Sequence, residues 1–151
     1  VFPVQIHAAE AFGSGEHDTT QGCILSVEAL AEQGIAFRNI LDMGCGSGIL
    51  ALGAACLWPQ AIVTAVDIEE DAVRVTENHA HINGFQYRLH CAAGAGYATP
   101  LAQKNAPYDL VLANILSNVL IDLAAHEKHG LELVAEREQG GWSILTLKKP
   151  A

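Results

Sequence analysis

Ile24, Val27, Leu30 and Ala31 recur at helical spacing, which predicts a helix from Thr19 or Thr20 to Gln33, ended by Gly34. Beyond it the pattern changes to short apolar blocks. Asn39–Asp42 is a strand that runs into glycines. Ile49–Trp58 is an apolar helix stopped by Pro59. Ala61–Asp67 (AIVTAVD) is β-branched and apolar on both faces, the pattern of a buried strand. Glu69–Asn83 is the next helix, with acids in its first turn and Asn83–Gly84 as its stop. Gln86–Cys91 alternates as a strand, and Gly94–Pro107 reads as loop with at most a short helical turn. Leu110–Ala113 is a further strand, and Ser117 caps a helix to about Gly130. Leu131–Glu138 and Trp142–Lys148 form a closing hairpin around Gln-Gly-Gly.

Strands alternating with helices give an α/β domain. A doubly wound, mostly parallel sheet is expected, with an antiparallel C-terminal hairpin. The 151 residues make one domain with a single core, and half of them are hydrophobic, which excludes disorder. No apolar run reaches the roughly 20 residues of a membrane span. The first ten residues, VFPVQIHAAE, show neither the basic region nor the apolar core of a secretory leader.

Charge and cysteines narrow the function. A net charge of −9 argues against direct binding to a phosphate backbone and suits a basic partner. The cysteines, Cys23, Cys45, Cys56 and Cys91, include no CxxC pair, so reduced thiols of a cytoplasmic protein are expected. His79 and His81 lie two apart on a helix, and His126 and His129 are only two ligands, so no metal is expected.

Candidate chemistry sits at strand ends. In LDMGCGSGIL, Asp42 ends the first strand, and Gly44, Gly46 and Gly48 turn the chain into a helix. Such glycines permit a sharp turn and a close ligand approach. The dinucleotide fingerprint GxGxxG fails, because Ile49 stands where its third glycine belongs. Asp42 suits a ligand with positive charge, such as an ammonium or a sulfonium. Asp67, at the end of the second strand, either accepts two ribose hydroxyls or caps the helix near Glu69. Asn114, after the fourth strand, either bridges an amine and a carboxylate or simply forms a turn.

Together AFGSGEHDTT, LDMGCGSGILALGAA, VTAVDIEEDAVRVTENHAHING and YDLVLANIL resemble the ribosomal protein L-eleven methyltransferase family, PrmA. The glycine and VDI motifs mark only a class I S-adenosylmethionine-dependent methyltransferase. The AFGSGEHDTT loop with ANIL is specific to the family, and the resemblance runs to the closing GGWSILTLKK. It implies methyl transfer to lysine and N-terminal amines of a basic ribosomal protein. Separately, the charge and the short apolar runs lead to neither nucleic acid nor membrane being expected as partner. By resemblance Thr20, Gly44, Asp67 and Asn114 contact the cofactor, with Phe12, Asp42, Gly46 and Ile68 beside them. Asn114 would also position the substrate amine. The AFGSGEHDTT loop would lie over the cofactor; without a ligand it would be a helix-capping loop, with Thr19 or Thr20 as the cap.

The chain departs from the family pattern in places. Full-length members carry an N-terminal recognition domain, and this chain begins where the catalytic domain begins. Ser14 and Asp18 are mild changes in the loop, and Ala95 stands where many members have an acid. Near residues 120–126 a β-α unit of about thirty residues is missing. Deleting a central strand would expose its neighbours, so a segment left out of the written sequence is expected rather than a true deletion. The competing readings are a truncated, non-catalytic cofactor binder and a class I methyltransferase with another substrate. Glutamine-modifying relatives carry Asn-Pro-Pro-Tyr where this chain has Asn114-Ile115-Leu116-Ser117.

Overall fold

The structure, a computed structural model, describes residues 3–6, 18–115, 132–139 and 142–148. The elements in order are α1 (Asp18–Glu32), β1 (Asn39–Met43), α2 (Ile49–Leu57), β2 (Ile62–Asp67), α3 (Glu70–Ile82), β3 (Leu89–Ala93), a 3-10 turn at Gly96–Ala98, α4 (Pro100–Asn105), β4 (Leu110–Ala113), β5 (Glu132–Gln139) and β6 (Trp142–Lys148). The first four strands form one parallel sheet in the order β3-β2-β1-β4. Asp42 lies opposite Ala65 of β2 and Leu112 of β4, so β1 is central. β5 and β6 pair antiparallel as a separate two-stranded sheet.

Alternation along β1 explains the layers. Ile40 belongs to the core cluster under α1, α2 and α3, together with Val63, Ala65 and Leu112. Leu41 and Met43 point the other way and pack with Val66 and Ala102 of α4. The central strands are therefore buried on both faces, which is why they read as nearly unbroken apolar runs. In α2, Ala51, Ala54 and Ala55 are fully buried, and their small side chains let the helix lie close on the sheet. Leu52 beside them is also fully buried; burying such a side chain contributes about 1.5–3 kcal/mol.

The end of α2 is held by polar groups. Arg88 Nη2 donates to Ala55 O at 2.6 Å and Nη1 to Trp58 O at 3.5 Å, placing a cation at the negative end of the helix. The same guanidinium lies 4.8 Å from the centroid of the Phe85 ring. Trp58 Nε1 donates to Ile35 O at 2.8 Å, and its ring meets Phe37 edge-on at 5.0 Å. At the far end of α3, Asn83 pairs with Gln5 like a strand neighbour, accepting from its N and donating to its O, both at 2.8 Å.

Three expectations need correction. Helix α1 begins at Asp18, so Thr19 and Thr20 lie in its first turn rather than at its cap. Strand β3 begins at Leu89 rather than Gln86, because Arg88 N and Leu89 N both bond back to Phe85 O and close a turn first. The segment after Gly94 holds the 3-10 turn and the six-residue helix α4, which starts on Pro100 with Thr99 before it. Proline at the first helical position was the available signal. The helix expected from Ser117 and the junction near residues 120–126 lie outside the described residues.

Candidate functional site

With β2 on one side of β1 and β4 on the other, the chain reverses its winding at β1. Open α/β sheets bind ligands at such a switch point, beyond the carboxyl ends of the strands. Gly44, Asp67 and Asn114 follow or end β1, β2 and β4, so one rim carries all three.

The turn after β1 is fixed by β2. Gly44 N and Cys45 N both donate to Val66 O, at 2.8 and 3.1 Å. Gly44 takes φ +73, and a methyl there would collide with Ile115 Cγ2. The residue after Asn114 therefore covers the α-carbon of the first loop glycine, and only glycine fits. Gly48, at φ +77, leads into α2.

Asp67 lies beside this turn. Its Oδ2 accepts from Gly46 N at 2.9 Å and its Oδ1 from Glu69 N at 3.1 Å. Two backbone amides hold the carboxylate in one orientation, and each oxygen retains acceptor capacity for a hydroxyl. The capping alternative is half correct: Asp67 bonds the amide of Glu69, the residue that precedes α3, in an Asx-type turn. Next to it the Ile68 side chain is 72% exposed, an apolar surface at the lip of the site. Glu70 and Asp71 follow in the first turn of α3, where acids complement the helix dipole.

Asp42 lies deeper. Its carboxyl is 1% exposed, and Oδ2 accepts from Ala51 N in α2 at 3.0 Å. Burial pushes its pKa up to about 7; the Ala51 hydrogen bond opposes the rise and the charge on Asp67 adds to it. The site thus keeps two carboxylates close enough to repel, an arrangement that a cation would relieve.

Thr20 and Asn114 meet across the switch point. Asn114 Nδ2 donates to Thr20 Oγ1 at 3.0 Å, and Thr20 is buried at 2% exposure. The first turn of α1 is thereby tied to the end of β4. Phe12 and the loop from Ala11 to His17 lie outside the described residues.

Sequence reasoning missed two supporting side chains. Thr76 and His79 of α3 are fully buried against the glycine loop, Thr76 bonding Gly46 O and His79 bonding Ser47 O. A threonine and a histidine three apart in the buried stripe of an amphipathic helix were the signal. Among the described residues, no group of three or more His, Cys, Asp or Glu side chains could hold a metal ion, and no helix is long and apolar enough to cross a membrane. Burial pushes the Cys23 thiol up to about 11 and the Cys91 thiol up to about 12.

Comparison with known proteins gives a consistent picture. The family described as Ribosomal protein L11 methyltransferase (PrmA) matches residues 2–146. A ribosomal protein L11 methyltransferase of Rhizobium rhizogenes is 38% identical over 144 residues, which is 95% of this chain and 46% of that protein. Across such curated relatives the chain spans only 40% to 46% of their length. Among solved structures, a ribosomal protein L11 methylase from Lactobacillus delbrueckii superposes with a TM-score of 0.78 at 24% identity, covering 97% of this chain and 86% of that one. An O-methyltransferase from Bacillus cereus, solved in complex with SAH, shares the fold at a TM-score of 0.54 and 19% identity, covering 67% of this chain and 46% of that one.

Proposed function

The chain belongs to the ribosomal protein L11 methyltransferase family, and from that premise we propose that it is an S-adenosylmethionine-dependent N-methyltransferase acting on lysine and N-terminal amines of that ribosomal protein. One observation carries the reading: the Asp67 carboxylate, oriented by Gly46 N and Glu69 N, stands beside exposed Ile68 at the end of β2. A nucleoside fits such a pair, with the carboxylate on its ribose hydroxyls and the apolar side chain on its base. The turn over Gly44 and Gly46, with Asp42 beneath it, suits a cationic amino-acid end. Its Gly44, Cys45 and Gly46 amides are committed to Val66 O and Asp67 Oδ2 rather than turned toward a pyrophosphate.

The residues proposed to hold the cofactor are Phe12, Thr20, Asp42, Gly44, Gly46, Asp67, Ile68 and Asn114. When bound, S-adenosylmethionine supplies a methyl group on a sulfonium, already activated toward a neutral amine. The protein's work is then to position and desolvate. Asn114 has one N–H committed to Thr20, so its carbonyl is the atom that can accept from the incoming amine and orient the nitrogen lone pair. An amide cannot act as a general base, so the amine arrives neutral or loses its proton to solvent. The net charge of −9 favours encounter with a basic protein. A ribosomal substrate places the reaction in the cytoplasm.

The test is transfer of isotopically labelled methyl groups to purified ribosomal protein L11, read by mass spectrometry of its lysines and N-terminus. Label on those amines supports the reading. Cofactor binding with no label on any ribosomal protein would leave a cofactor-binding relative without this activity.

A further inference from the structure

Gly46 is held on both sides. Its N–H donates to Asp67 Oδ2 at 2.9 Å, and its carbonyl accepts from Thr76 Oγ1 at 3.0 Å. Cys45 Sγ lies 3.4 Å from the same hydroxyl. The Thr76 methyl also fills the space beside Gly48, where a Cβ would come within 2.7 Å of Thr76 Cγ2. One turn further along α3, His79 Nδ1 lies 2.8 Å from Ser47 O. A carbonyl only accepts, so Nδ1 carries the proton. Both side chains are essentially removed from solvent. At such positions a helix ordinarily buries apolar residues, as α3 does at Val73 and Ala80. Here two donors meet two consecutive carbonyls of the loop.

We infer that Thr76 and His79 are positioning residues for the cofactor loop: they fix the peptide planes at Gly46 and Ser47, and through Gly46 the orientation of Asp67. The inference rests on the S-adenosylmethionine reading and extends it to residues that touch no cofactor themselves. Rotation of the Gly46 peptide would withdraw the amide that aims the carboxylate, so a bound nucleoside would have to reorganise the loop. Preorganised donors avoid that cost.

The test compares Thr76→Val and His79→Leu with the conservative variants Thr76→Ser and His79→Asn in the 151-residue chain. Valine keeps the shape of threonine and loses the hydroxyl. Asparagine carries its Nδ2 as many bonds from the backbone as histidine carries Nδ1, so it can reach Ser47 O. Affinity for S-adenosylhomocysteine is measured by calorimetry well below each variant's melting temperature. Loss of either hydrogen bond is expected to weaken binding roughly fivefold, with serine and asparagine restoring it to within about twofold. A role confined to core stability would lower the melting temperature and leave the affinity of the folded variants at the wild-type value; that result overturns the inference. Absence of binding by wild type would bring down the cofactor reading itself, and the inference with it. Should the leucine or valine variant not fold, nitrogen NMR of wild-type His79 decides: a proton on Nδ1 supports the clamp, and a bare Nδ1 contradicts it.

Discussion

Asn114 and Thr20 share a hydrogen bond of 3.0 Å that ties the end of β4 to the first turn of α1. Buried Thr20 offers its oxygen as the acceptor, so the orientation of the Asn114 amide depends on a residue far away in sequence. Thr20→Val keeps the shape and removes the acceptor of the Asn114 donor. Asn114 is only part-buried, so water can take up its donor, and the loss is that of one hydrogen bond, about 0.5–1.5 kcal/mol. Urea unfolding should show a loss in that range, restored by Thr20→Ser. Asn114→Ala should weaken S-adenosylhomocysteine binding only severalfold, the loss of one cofactor contact, and lower kcat for methyl transfer about a hundredfold, the penalty of a misplaced nucleophile. A loss of affinity with kcat unchanged would confine Asn114 to the cofactor and remove its role toward the amine.

Gly44→Ala meets two obstacles. The residue adopts φ +73, which costs an alanine about 1–2 kcal/mol, and the new methyl runs into Ile115. Overpacking adds a further 1–3 kcal/mol or so. The expected result is a chain destabilised by about 2–5 kcal/mol, measured by denaturant unfolding. Pairing it with Ile115→Ala should recover the packing part and leave the backbone part.

Asp42 opposes folding at neutral pH. Its folded pKa is raised to about 7 from 3.8, chiefly by burial. As pH rises the unfolded chain gives up this proton first. The cost is absent below about pH 4, grows between about 4 and 7, and stays constant above. At roughly 1.4 kcal/mol per pKa unit, Asp42→Asn should stabilise the chain by up to about 4 kcal/mol near pH 8 and hardly at all near pH 4. Asparagine can still accept from Ala51 N. Parallel urea titrations at the two pH values check this.

The same carboxyl links cofactor binding to protons. A bound cation lowers the Asp42 pKa, so below about pH 7 binding releases a proton, and affinity falls by at most about tenfold per pH unit. Calorimetry in buffers of different ionisation enthalpy reads the released proton directly. In Asp42→Asn the release should vanish and the affinity should be weaker and flat with pH.

Much of this was legible from local pattern. β4 keeps its predicted bounds, and β1 and β2 differ by one residue at one end, because buried parallel strands leave apolar runs and the glycines punctuate them. Asp67 was legible as a ligand or a cap, and it does hold the amide of Glu69. What pattern could not supply was three-dimensional pairing. That Asn114 would find Thr20, that Ile115 would sit over Gly44, and that Thr76 and His79 would grip the loop all depend on how distant elements pack. The shifted start of β3 came from a turn at Phe85–Arg88 that alternation alone does not reveal. Helix α4 escaped because six residues are too few to establish a helical period.

The most direct measurement is a calorimetric titration of the chain with S-adenosylmethionine, in parallel with Asp67→Ala. Saturable one-to-one binding by wild type is expected, weakened about a hundredfold or more in a variant that still folds, since the carboxylate's charge-assisted bonds to the ribose hydroxyls would be lost. Undiminished binding by folded Asp67→Ala, or none by folded wild type, would contradict the placement of the cofactor at the ends of β1 and β2.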